Sequence, residues 1–354
     1  MNAETSPRNE HESPETPFRF GYKASSEQFA PSQLLEYAVL AEQMGFDSVF
    51  ISDHFQPWMH EGGHAPAALP WLGALGSRTD RLVFGTSVLT PTLRYHPGVV
   101  AQAFGTLGVL YPGRVILGVG TGEALNEVTL GLDWPAGPER FHRMKEAITV
   151  IRRLWAEDRV TFDGDFYSLR DATVYDRPVE PVPVYIGASG PAATRLAGRI
   201  ADGYITTSGK PEELYTDTLL PALVEGLERG GRLASAIDTL IEVKVSLHPD
   251  RRTALERTRF WGPLSLTAEE KMGIHDPIEM QRRANALPLE RAASRFIVST
   301  DVEEHVAAIA RYLDLGFRHL VFHDPGADQD RFLRTYGEEV LPRLRKLERE
   351  RSAF

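Results

Sequence analysis

Cysteine is absent from the 354 residues. That absence removes disulfides, thiolate metal ligands and cysteine nucleophiles together. No apolar run approaches the roughly 18 residues that a spanning helix needs, so the sequence offers no transmembrane segment. Positive charge is also scarce: 39 Lys and Arg stand against 49 Asp and Glu, a formal net charge of −10. This balance disfavours a general nucleic-acid or anionic-membrane binder and leaves room for a local basic pocket. Residues 1–17, MNAETSPRNEHESPETP, lack the apolar stretch of a signal peptide and are rich in Glu, Ser and Pro. They read as a disordered tail, and a cytoplasmic protein is the expectation.

What remains is an ordinary globular composition, 42% apolar and 25% charged, long enough to bury a sizeable core. Short β-rich runs recur along the chain: FRFGYK (18–23), DSVFIS (47–52), RLVFGTS (81–87), RVILGVG (114–120), PVYIGAS (183–189), GYITTS (203–208), LIEVKVSL (240–247) and RHLVFH (318–323). Amphipathic stretches separate them. In PSQLLEYAVLAEQMG (31–45), Leu34, Leu35, Ala38, Ala41 and Met44 repeat at helical spacing, with Pro31 at the start and Gly45 at the end, as helix termini favour. Eight buried-looking strands alternating with helices predict a (β/α)8 TIM barrel rather than an open sheet. Two segments exceed that plan. VTFDGDFYSL (160–169) carries Asp-Gly between alternating residues, a hairpin signal, and residues 260–295 have mixed helical character. The expected organisation is one domain over 18–354 with insertions near 158–180 and 260–295.

Chemistry in such a barrel sits on the loops at the C-terminal ends of the strands. Five consecutive loops there carry polar groups: SDHFQPW, TSVLTPT, GTGEALNE, ASGP and TTSGK. The segment His60-Glu61-Gly62-Gly63-His64 matches the zinc-protease pattern letter for letter. That pattern works only on a helix, where both histidines share a face. Its two glycines cost roughly 2 kcal/mol of helix propensity, Pro57 and Pro66 bracket it, and no third ligand stands out. A loop without metal is the expectation. GVGTGEALNE mimics a dinucleotide turn but has Glu123 where the Rossmann fingerprint wants a third glycine or alanine. It reads as a glycine-rich turn that lets a ligand approach the backbone while Glu123 reaches into the mouth.

Asp53-His54 at a strand end suits a helix cap or hydrogen-bonded pair as well as a catalytic one, and Trp58 suits the core as well as a site. Solvated surface is the default reading of Lys210, Lys271 and Arg295. In TTSGK, however, hydroxyls, a flexible glycine and a cation suit a phosphate, although no P-loop is present.

The segments GYKASSEQFAP, SDHFQPW, GGHAP, GTSVLTPT, YPGRVILGVGTGEALNE, TSGKPEELYT, RFWGPLSLTAEEK and HLVFHDPG carry a likeness over roughly residues 18–346. The chain resembles the luciferase-like family of deazaflavin-dependent oxidoreductases, in particular its glucose-6-phosphate dehydrogenases that use coenzyme F420. The resemblance implies a cofactor in the barrel mouth contacted by Asp53, Thr90, Thr121, Gly122, Asn126, Ser189, Gly190, Ala192 and Ala193. It implies His54 and Glu123 as acid/base residues, with Trp58 beside the reacting ring. A hexose 6-phosphate would be held by Thr207, Lys210, Lys271 and Arg295. It further implies a homodimer and a non-proline cis peptide between Ser87 and Val88, forming a bulge that backs the planar ring. Three alternatives stay open: broader hexose 6-phosphate specificity reaching fructose or mannose 6-phosphate, an FMN-dependent luciferase-like monooxygenase, and a non-catalytic deazaflavin-binding protein.

Overall fold

A computed structural model of the chain describes residues 18–352; the tail expected over residues 1–17 lies outside them. Among the described residues eleven strands are present: β1 (Arg19–Ala24), β2 (Ser48–Ile51), β3 (Val83–Thr86), β4 (Val115–Val119), β5 (Val160–Asp163), β6 (Ser168–Ala172), β7 (Val184–Gly187), β8 (Gly203–Thr207), β9 (Asp238–Leu247), β10 (Ile297–Ser299) and β11 (His319–His323). Eight of them form a parallel sheet in the order β1-β2-β3-β4-β7-β8-β9-β11. The sheet closes on itself where Arg19 to Tyr22 pair with His319 to Phe322. These eight are the runs expected from the sequence, and the architecture is a (β/α)8 barrel.

Side-chain alternation divides each strand between two environments, because successive residues point to opposite faces. Outward residues such as Phe20, Tyr22, Ile241, Val243 and Phe322 join the large core between barrel and helices. Inward, Phe50, Ile116, Tyr185, Ile205, Leu240 and Val321 form a separate apolar plug across the middle of the barrel. On the N-terminal side of this plug His319 Nε2 meets Ser48 Oγ at 2.7 Å and His319 Nδ1 meets Asp238 Oδ2 at 2.9 Å. Tyr185 OH also donates to Asp238 Oδ2 at 2.7 Å. The order of residues imitates a hydrolase triad, but Ser48 and His319 are fully buried. They satisfy one another in the barrel floor, as buried polar groups must.

The helix Pro31–Gln43 begins at its proline and is followed by Gly45 at φ 85°. Its buried residues Leu34, Ala38, Leu40 and Ala41 face the barrel. Two segments lie outside the eight-strand plan. β5 and β6 pair antiparallel as a hairpin, yet Asp163 lies opposite Ser168, so the connection is longer than a two-residue Asp-Gly turn. The Glu146 carboxylate organises it, accepting the N–H groups of Asp165, Phe166 and Tyr167 at 3.0, 3.0 and 2.8 Å. The second insertion folds as the 3-10 segment Arg257–Ser265 and the helices Ala268–Lys271, Pro277–Asn285 and Leu289–Ala292. Strand β10 escaped the sequence reading. Three residues long, it extends the far end of β9, with Ile297 opposite Val245. Among the described residues no helix is long and apolar enough to cross a membrane.

Glycines let neighbouring strands approach where the barrel is narrow. A Cβ at Gly118 would lie 1.9 Å from the Thr86 carbonyl oxygen on the adjacent strand. Backbone cannot yield as a flexible side chain does, so Gly118→Ala is expected to destabilise the fold by about 2–3 kcal/mol, read as a lower denaturant midpoint with an unchanged slope.

Candidate active site

At the C-terminal face the strand-end loops surround a cavity of about 460 Å³. One wall comes from the loops after β2 and β4. His54 and Trp58 leave β2, while Glu123 leaves β4 just before the short helix Ala124–Glu127. His54 Nε2 faces Glu123 Oε2 at 3.9 Å, and its Nδ1 faces Glu27 Oε1 at 3.4 Å. The Trp58 indole stands edge-on to the imidazole with centroids 5.7 Å apart.

Glu123 is 44% exposed as a side chain, yet its Oε2 is buried and has no hydrogen-bond partner. The carboxylate thus opens to the cavity while its inner oxygen is recessed. Burial raises its pKa, with Glu27 adding to the rise and His54 and Lys271 opposing it.

Side-chain hydrogen bonds fix this wall. Asn126 Oδ1 accepts the N–H groups of Phe55 and Gln56 at 2.8 and 3.3 Å, tying the β4 loop to the β2 loop. Asp53 Oδ1 accepts the Ala68 N–H at 3.1 Å. Its other oxygen pairs with Arg94, which also holds Glu127 at 2.9 Å. Asp53 therefore fulfils the structural reading of an Asp at a strand end while still lining the cavity.

The opposite wall is cationic. Thr207 ends β8 and Lys210 follows it, Lys271 ends the helix Ala268–Lys271, and Arg295 lies just before β10. Arg295 donates to Thr207 Oγ1 at 3.3 Å and to the Ser208 carbonyl at 3.1 Å. Gly209, at φ 73°, makes that approach possible: a Cβ there would sit 2.3 Å from the Arg295 carbonyl oxygen. Lys271 Nζ lies 4.8 Å from the centre of the Trp58 ring, joining the two walls. Burial lowers the pKa of Lys210 to about 8, helped by Arg295, Lys244 and Lys271. Lys271 and Arg295 are lowered as well, first by burial. Burial is the first cause in all three, so a bound anion would favour their charged forms.

Cavity-lining residues include Asp53, His54, Trp58, Thr90, Thr121, Gly122, Glu123, Asn126, Ser189, Thr207, Lys210, Lys271 and Arg295. Gly190, Ala192 and Ala193 stand beyond that lining, at the N-terminus of the helix Pro191–Ile200. Trp58 resolves its two readings by taking both: it is 8% exposed, packs with Leu125 and Trp261, and still borders the cavity. The HEGGH segment is loop, with His60 and Glu61 exposed and their N–H groups donating to Gln281 Oε1.

Sequence reasoning missed Glu27 and a buried group on the cavity floor, Lys23, Glu242, Lys244 and His323. The signal for two of them lay in LIEVKVSL, where Glu242 and Lys244 alternate with Ile241, Val243 and Val245. Charges on the inward face of a buried strand need a reason.

One wall also has the shape of a planar ligand's support. The Ser87–Val88 peptide is cis, as the resemblance implied. Val88 lies against Gly120 and Gly187, where added Cβ atoms would come within 2.6 and 2.9 Å of its side chain. A cradle with recessed, unpartnered His54 and Glu123 atoms beside it fits a deazaflavin ring.

A (β/α)8 barrel with His54 and Glu123 on one wall facing a cationic wall across one mouth defines an enzyme-like site suited to an anionic ligand. The chain belongs to the luciferase-like monooxygenase family, whose model matches residues 15–319. It is 76% identical over 330 residues to a protein of Microbacterium testaceum named F420-dependent glucose-6-phosphate dehydrogenase, covering 93% of this chain and 98% of that one. A protein of the same name from Nakamurella multipartita is 67% identical over 331 residues, covering 94% and 98%. Among solved structures, an F420-dependent secondary alcohol dehydrogenase in complex with an F420-acetone adduct superposes with TM-score 0.88 at 35% identity, covering 93% of this chain and 99% of that one.

The Lys210 charge gives the cationic wall a pH limit. Its pKa is depressed, so the ammonium is present below about 8 and lost above. Sulfate keeps its charge over this range. Its affinity, followed by tryptophan fluorescence, is expected to fall several-fold as the pH rises through that value, and Lys210→Met should abolish the step.

Proposed function

We propose that this chain is an F420-dependent glucose-6-phosphate dehydrogenase, moving a hydride from C1 of glucose 6-phosphate to the deazaflavin and giving 6-phosphogluconolactone. The observation that carries the reading is the convergence of Thr207, Lys210, Lys271 and Arg295 on one wall of the cavity whose other wall holds His54 and Glu123. The relatives at 76% and 67% identity support the same assignment.

Coenzyme F420, when bound, supplies the hydride acceptor. Asp53, Thr90, Thr121, Gly122, Asn126 and Ser189 would hold it along the cavity. Gly190, Ala192 and Ala193 would present backbone N–H groups at a helix N-terminus, where anions are favoured. Oxidising the hemiacetal carbon also requires O1 to lose its proton. His54 and Glu123, whose Nε2 and Oε2 lie 3.9 Å apart on the cavity wall, form the pair that handles it. Glu27 beside Nδ1 provides a counter-charge when the imidazole is protonated and limits its rotation. Trp58 closes the space beside His54 and excludes water from the reacting carbon. The remote phosphate, gripped by the cationic wall, orients the sugar, so its binding energy serves catalysis as well as affinity. A homodimer in the cytoplasm completes the reading. Exposed Val99, Val109 and Leu110 on the helix Pro97–Leu110 supply apolar surface for a second copy.

Absorbance at the oxidised deazaflavin band tests the activity directly. It should decay when glucose 6-phosphate is added, and constant absorbance with every hexose 6-phosphate would overturn the assignment. His54→Ala and Glu123→Gln should each lower turnover by roughly 10²–10⁴-fold while F420 affinity persists, as measured by fluorescence titration. Unphosphorylated glucose should be a very poor substrate. Replacing Lys271 or Arg295 by Met should raise KM for the phosphorylated sugar and leave F420 affinity unchanged, and equal kcat/KM on glucose and glucose 6-phosphate would refute the clamp.

A further inference from the structure

Between the two walls the cavity has a floor, built on strands whose inward residues turn polar above the apolar plug. Lys23 comes from β1, Glu242 and Lys244 from β9 and His323 from β11, and all four line the cavity. Glu242 joins the others: Lys244 Nζ donates to its Oε1 at 2.9 Å, Lys23 Nζ stands 3.5 Å from Oε2, and His323 Nδ1 stands 3.4 Å from Oε1. Thr207 of the cationic wall is the register partner of Glu242 across β8 and β9.

The two lysines differ in what they have left to offer. Lys23 spends its three donors on Ser52 Oγ, Ser87 Oγ and the Ser87 carbonyl, at 2.7, 2.7 and 2.9 Å. The ammonium of Lys244, a residue 3% exposed, makes a single hydrogen bond among the described residues, the one to Glu242. Two of its ammonium donors are therefore unspent. His323, 1% exposed, has no hydrogen-bond partner at either ring nitrogen. Trp261 and Phe296 pack against it with centroids 4.3 and 5.9 Å away. Burial lowers its pKa against the opposing pull of Glu242, so the neutral ring offers one donor and one acceptor. Buried groups of this kind ordinarily find partners, and these border the cavity in which the substrate would lie.

A hexose whose C1 is held at the acid/base wall and whose phosphate is held at the cationic wall must cross this floor with its remaining hydroxyls. We propose that Lys244 and His323, braced by Glu242, form a hydroxyl-recognition subsite that selects which hexose 6-phosphate is accepted. Sugar hydroxyls both donate and accept, which matches a floor of ammonium, carboxylate and neutral imidazole. The phosphate wall alone cannot distinguish epimers. A site built to hydrogen-bond a hydroxyl rejects an analogue that misplaces it far more strongly than an apolar pocket does.

This inference rests on the reading of the site as one for a hexose 6-phosphate. Its test uses the intact protein and two variants. Lys244→Met keeps the length of the side chain, and His323→Leu fills the space against Trp261 and Phe296, with melting temperatures recorded to establish that both variants fold. Turnover and calorimetric binding, with and without F420, are compared for glucose, mannose, allose and galactose 6-phosphates, with inorganic phosphate as the probe of the cationic wall alone.

In the wild type, glucose 6-phosphate should outrank its epimers by at least about tenfold in kcat/KM. Each variant should shrink that ratio by about tenfold and weaken glucose 6-phosphate binding, while inorganic phosphate affinity changes less than about twofold. Unchanged discrimination in both variants would overturn the subsite, as would an equal loss for phosphate and sugar phosphate, which would make Lys244 part of the clamp. Variant-sensitive discrimination in binding without any turnover would sink the dehydrogenase reading and keep the subsite. Turnover with unaltered discrimination in both variants would do the reverse.

Discussion

A buried carboxylate, Glu242, is the contact on which the site's arrangement depends. Burial alone would raise its pKa, but Lys244 and Lys23 override burial and hold it well below the usual carboxylate range. One carboxylate then offsets part of the charge of two lysines kept inside the barrel. Through Lys23 this compensation reaches Ser52 and Ser87, the residues at which the loops after β2 and β3 begin. Loss of Glu242 would leave two buried ammonium groups without their shared counter-charge.

Farther out, a second ionic contact repeats the principle. Arg94 joins Asp53 to Glu127, so the β2, β3 and β4 loops are tied at their outer edge as well as at their roots. Asn126 adds its contacts to Phe55 and Gln56. Acid/base groups carried on loops are seldom precise unless such supports lock them. The unpartnered atoms of His54 and Glu123 are thus held in place by neighbours whose own hydrogen bonds are filled.

Much of this was legible in the sequence because it depends on local rules. Eight strands were marked by β-rich runs, and the HEGGH loop was decided by two glycines and two prolines. The hairpin was visible, but its turn was not, since Glu146 reaches it from a distant helix. β10 was too short to announce itself and exists through pairing with the end of β9. The cationic wall gathers residues from three separated segments, so only TTSGK stood out by its own residues, and Lys271 and Arg295 through the family resemblance. Glu27 was hidden for a similar reason: nothing in SSEQFA signals that it faces His54, which only barrel closure brings about. Glu242 and Lys244 could have been found, because charges at alternate positions of an otherwise apolar strand mark an inward polar layer.

The cationic wall also has an unequal construction. Lys210 is rooted in a barrel strand's own loop, whereas Lys271 is carried by the 257–295 insertion and rests on Trp58. An anion bridging the two would bind the insertion to the barrel as surely as the protein binds the anion. Binding and docking are then linked reciprocally: occupancy should slow hydrogen exchange in the helix Ala268–Lys271, and any ligand or substitution that loosens this helix should weaken phosphate capture by the same free energy. The insertion would thereby report thermodynamically on an anion bound between Lys210 and Lys271, coupled to it through a lysine laid on an indole.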